Sequence, residues 1–110
     1  MTQLGPIATK ILYEDDDIRI WDQRIEPGEA TAPHHHANDY VLVDIEGDAI
    51  EVTPLEGGPN PHGIPAEGLA LPVKAHSCFT VPRGSSEIAR NTGKHRYRAI
   101  LVEFKNQESS

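Results

Sequence analysis

Glycine and proline interrupt this chain so often that no long helix fits through its middle. Nine glycines and nine prolines occur in 110 residues. They recur at Pro27, Gly28, Gly47, Pro54, Gly57, Gly58, Pro59, Pro61, Gly63, Pro65, Gly68, Pro72, Pro82, Gly84 and Gly93. Each proline removes a backbone donor and fixes φ, and each glycine favours a turn. The runs between them are short and rich in β-branched residues. They predict strands over residues 10–13, 18–25, 40–45, 49–54, 69–74, 78–81, 87–91 and 97–105. Many short strands at even spacing point to an all-β sandwich or barrel.

The length suits one domain with one core, spanning 1–110 with its body over about 10–105. Residues 56–68 show no apolar periodicity and read as a variable loop, with a tolerated surface insertion the plainer reading. Residues 106–110 are polar and read as a flexible tail. Tyr40-Val-Leu-Val-Asp-Ile looks like a central strand. The Glu46-Gly47-Asp48 turn and the run after it suggest that this strand returns as a β-hairpin. Cys78, beside Phe79, reads as a small core residue, and as the lone cysteine it can form no internal disulfide.

The charge of −7 disfavours binding to phosphate backbones, so no nucleic-acid partner is expected. The opening MTQLGPIATK lacks a signal-peptide apolar run, and no stretch is long enough to cross a bilayer. A soluble, cytoplasmic location with no membrane partner is the expectation.

Three of the six histidines stand together as His34-His35-His36. In an extended segment His34 and His36 share one face and His35 points to the other. Two imidazoles so placed can reach one cation, although a site needs further ligands.

The stretch from Gly28 to Gly47 resembles the first motif of the cupin superfamily: Gly, five residues, His-x-His, three or four residues, Glu, six residues, Gly. Gly28, His34, His36 and Gly47 stand in register, and Tyr40 occupies the position of the usual Glu. The stretch from His76 to Asn91 resembles the second motif: Gly, five residues, Pro-x-Gly, two residues, His, three residues, Asn. Pro82, Gly84 and Asn91 match. His76 replaces the leading Gly, and Glu87 replaces the usual His.

This resemblance implies a cupin-type double-stranded β-helix, a jelly-roll barrel of short antiparallel strands with the motif residues inside. It also implies a metal site at the positions of His34, His36, Tyr40 and Glu87. Two histidines and Glu87 make the 2-His-1-carboxylate set that suits one divalent ion, Fe(II) first, with Zn, Ni or Mn as alternatives. Tyr40 is a weak fourth ligand or a hydrogen-bond donor to substrate, and Asp39 could take its place if the turn is irregular.

Three functions stay open. One is a metal-dependent enzyme, of dioxygenase, isomerase or lyase type, acting on a small oxygenated molecule, with Glu87 and Tyr40 as catalytic groups. The second is a metal-free acid–base enzyme of dehydratase or cyclase type. The third is a non-catalytic binder of small molecules. Homodimerisation through an edge strand is expected by analogy. Trp21 reads as core, and Arg90 and Arg98 are candidates to meet an anionic substrate. His62, His76 and His95 read as loop or turn histidines.

Overall fold

The structure is a computed structural model that describes residues 3–105. The tail over 106–110 lies outside the described residues. Nine strands form among them: β1 (Lys10–Glu14), β2 (Ile18–Ile25), β3 (His34–His35), β4 (Tyr40–Glu46), β5 (Ala49–Pro54), β6 (Leu69–Pro72), β7 (Cys78–Val81), β8 (Ser86–Arg90) and β9 (Tyr97–Phe104). The described residues contain no helix long and apolar enough to cross a membrane.

The strands form two sheets, ordered β1-β2-β9-β4-β7 and β3-β8-β5-β6, with every pairing antiparallel. β9 is the central strand of the larger sheet. Its residues alternate strictly between buried and half-buried, as expected where one face meets the core. Tyr97, Ala99, Leu101 and Glu103 point inward. Register with β2 and β4 extends this face as rows: Arg19–Glu103–Tyr40, then Trp21–Leu101–Leu42, then Gln23–Ala99–Asp44. Successive rows lie about 6.6 Å apart along the strands. Burying a side chain such as Leu101 contributes roughly 1.5–3 kcal/mol.

The expected hairpin between β4 and β5 does not form. β4 pairs with β7 and β9, whereas β5 pairs with β6 and β8. The Gly47 turn therefore carries the chain from one sheet to the other. Gly47 has φ +128°, and a Cβ there would sit 3.2 Å from both Cα and Cδ1 of Tyr97. Glycine alone gives both that dihedral and that approach.

Cys78 is exposed, not a core residue. It begins β7, an edge strand whose side chains largely face solvent. Trp21 is buried in the core, and its indole N–H donates to Glu103 Oε1 at 2.6 Å.

β6 and β7 are edge strands of different sheets and do not pair with each other. The barrel opens between them. Leu69, Leu71 and Phe79 are exposed there, yet they also line the interior cavity. β1 is the far edge of the larger sheet, and all five of its residues are exposed.

Candidate metal centre

The two-residue strand β3 pairs His34 directly opposite Glu87 on β8. This places an imidazole and a carboxylate side by side. The extended chain turns His34 and His36 the same way, and they are 2 % and 3 % exposed. His35 is half-buried on the opposite side, where Nδ1 lies 2.8 Å from Ser86 Oγ. Nothing in the sequence marks β3 as a strand, because two residues carry no periodicity.

His34 Nε2 lies 3.8 Å and His36 Nε2 3.7 Å from Glu87 Oε2. The rings of His34 and His36 meet edge to face at 4.9 Å. One ligand atom from each of His34, His36 and Glu87 falls within 4.8 Å of the others. The Glu87 side chain is 13 % exposed. Ser85 donates to its Oε1 at 2.7 Å, which orients the carboxylate.

These groups fit a divalent cation. His34 Nδ1 faces the carbonyl of Ala32 at 2.8 Å. A carbonyl only accepts, so the hydrogen-bond network assigns the proton to Nδ1 and leaves the Nε2 lone pair free. A backbone partner of this kind commonly fixes the orientation of a metal-ligating histidine. Burial, reinforced by His34 and then His35, pushes the His36 imidazole down to about 3. It is thus neutral over the physiological range, the form that ligates metals. His36 Nδ1 is buried with no hydrogen-bond partner. The two Nε2 atoms lie 3.8 and 3.7 Å from Glu87 Oε2, too long for hydrogen bonds, and a shared cation would bring all three into contact.

Tyr40, not Asp39, faces this centre. Its ring stacks on His36 with centroids 4.4 Å apart, and it lines the cavity. Burial raises the phenol, with Glu87 and then Glu103 adding to the effect. It therefore keeps its proton and can act as a donor. Asp39 instead accepts the backbone N–H of Arg83 through Oδ1 at 2.8 Å.

The cavity measures about 290 Å³. Beyond His34, His36 and Glu87 its walls are mainly apolar, including Leu42, Ile50, Val52 and Leu101, and among the described residues no lysine or arginine lines them. The two arginines considered for anion recognition lie elsewhere. Arg90 donates to the carbonyl of Gly28, and Arg98 to Asp22. His62 reaches the cavity rim from the loop over residues 56–68, bonded to the carbonyl of Pro82 at 2.9 Å. That loop also supplies Ile64 to the wall. His76 stands in an exposed turn with φ 70° and does not line the cavity.

Among the polar wall residues that sequence alone did not single out are Asp44 and Gln23. Asp44 lies inside an otherwise apolar strand. Its signal was the period of two that puts residues 40, 42 and 44 on one face.

Fold and site together define a small cupin-type domain. A cupin domain from Bordetella pertussis Tohama I superimposes with a TM-score of 0.73 at 21% identity, covering 96% of this chain and 98% of that one. A protein with a double-stranded β-helix domain from Klebsiella pneumoniae gives a TM-score of 0.65 at 16% identity, covering 98% and 86%. A polyketide cyclase from Streptomyces resistomycificus gives 0.58 at 15% identity, covering 86% of this chain and 59% of that one. At such identities these likenesses establish the fold alone. Within the cupin fold, the chain belongs to the family described as "Auxin binding protein", which it matches over residues 3–107. No curated protein matches the chain.

Proposed function

We propose that the chain holds one divalent metal through His34, His36 and Glu87 and acts on a small oxygenated organic molecule in the adjoining cavity. The convergence of three buried or nearly buried ligand atoms within 4.8 Å supports this reading. Two imidazoles and a carboxylate are the donor set of non-haem Fe(II) sites, and also suit Zn, Ni or Mn. When bound, such an ion supplies Lewis acidity or oxygen activation. The chain's own groups do the rest. Ser85 steadies Glu87, and Ala32 fixes the His34 tautomer. Tyr40 keeps its proton beside the site and can donate to a substrate oxygen, while the apolar walls exclude water.

The family's name makes auxin one candidate ligand. A metal-free acid–base reading is the alternative, with Glu87 and one of His34 or His36 as the acid–base pair and Tyr40 as the donor to a substrate oxygen. Chelation followed by reconstitution separates the two. Under the metal reading, turnover or ligand binding in a small-molecule screen disappears on chelation and returns with one ion. Activity that survives chelation but not Glu87→Gln would overturn it. A homodimer formed through the exposed β1 edge remains part of the proposal, to be tested by light scattering.

A further inference from the structure

The inward face of the larger sheet is polar at both ends and apolar between them. At one end Tyr40 stacks on His36. One row along come Leu42 and Leu101, and one row further Asp44, Ala99 and Gln23. Tyr40 and Asp44 are four residues apart on β4, about 13 Å. This is the length of a ring-sized molecule with a substituent at each end.

Asp44 is 5 % exposed and lines the cavity. Among the described residues its side-chain donor is Tyr97, whose hydroxyl reaches Oδ1 at 2.9 Å. A carboxylate offers about four acceptor sites, so a single phenol leaves most of its capacity unused. Among the described residues, no lysine or arginine lines the cavity beside it. Gln23 stands on the other side of Ala99 in the same row. Its Oε1 lies 2.9 Å from the hydroxyl of Thr9, which leaves the amide N–H groups as donors. Ala99 between them is wholly buried and does not line the cavity, whereas Asp44 and Gln23 both do. Tyr97 is itself held in place by the close approach of Gly47.

We propose that Asp44 and Gln23 form a second recognition site at the far end of the cavity, one that selects an uncharged ligand carrying a hydroxyl group. Asp44 accepts the hydroxyl proton and Gln23 donates to its oxygen. The aromatic or aliphatic body lies against Leu42 and Leu101, and a ligand carrying a carboxylate at this end is repelled by Asp44. The inference rests on reading the cavity as a ligand site but does not require a bound metal. A site built to hydrogen-bond a hydroxyl discriminates strongly against the analogue lacking it.

The test is titration of 4-ethylphenol, 4-ethyltoluene and 4-ethylbenzoate into labelled protein, followed by NMR, with and without chelator. In the parent, 4-ethylphenol should bind at least about tenfold tighter than 4-ethyltoluene, and 4-ethylbenzoate most weakly. In Asp44→Leu the phenol preference should fall below about twofold. Should that variant fail to fold, the near-isosteric Asp44→Asn should narrow the gap between 4-ethylphenol and 4-ethylbenzoate. Equal binding of phenol and toluene by the parent, no binding of either, or a preference unchanged in the Asp44 variants would overturn the proposal. Metal content measured on the same samples keeps the two readings apart. Phenol selectivity without metal removes only the metal centre, and metal without selectivity removes only this second site.

Discussion

β9 and β3 lie in opposite sheets and differ in what they bury. β9 runs for eight residues with strict alternation and places Ala99 and Leu101 in the core. β3 is two residues long, and with its neighbour His36 it buries imidazoles instead. Burying polar groups without full hydrogen bonding costs free energy, and His36 Nδ1 is such a group. The long strand therefore carries the stability that lets the short one hold groups suited to chemistry.

The largest effect expected from breaking this contrast is on β9. Leu101→Ala should destabilise the protein by about 2–5 kcal/mol in a denaturant titration. His34→Ala in metal-free protein should cost less than that. If the two substitutions cost the same, the division of labour between the sheets is wrong.

The next effect is in acid. The native His36 ring is held near 3 while an unfolded histidine titrates near 6.5. The unfolded state therefore takes up a proton that the native state refuses. The stability due to a neutral His36 is complete above pH 6.5 and is lost as pH falls from 6.5 towards 3, by a few kcal/mol at most. Melting curves of metal-free His36→Gln should show a shallower decline over this window. A decline as steep as the parent's would remove His36 as its cause.

Smaller again is the effect of Ser85→Ala, which frees the Glu87 carboxylate. It should weaken metal affinity by about 10–100-fold with little change in fold, as competition with a chromophoric chelator would show. The smallest effect is at the exposed β1 edge. Leu12→Lys should change monomer stability by no more than about 0.5 kcal/mol, yet shift any dimer formed there towards monomer in light scattering.

Much of this architecture was legible in the chain. Turn residues marked the ends of most strands because their dihedral constraints act locally. His34, His36 and Glu87 were legible through the resemblance to the two cupin motifs, and the fold sets His34 opposite Glu87 on the adjacent strand. Strand partnership was not legible. Gly47 signals a turn equally well whether β5 returns along β4 or crosses to the other sheet, and its contact with Tyr97 exists only in the folded barrel. Cys78 looked apolar in its sequence neighbourhood, but β7 is an edge and exposes it. Asp44 and Gln23 became a site only through their shared pairing with Ala99, a contact between residues distant in sequence.

The most direct test of the metal centre is elemental analysis of the parent, His34→Ala and Glu87→Gln, each reconstituted with Fe(II), Zn(II), Ni(II) or Mn(II) and then dialysed. The account predicts about one ion per chain in the parent and a clear loss in both variants, with their folds intact by circular dichroism. A parent that retains none of these ions, or variants that retain as much as the parent, would contradict it.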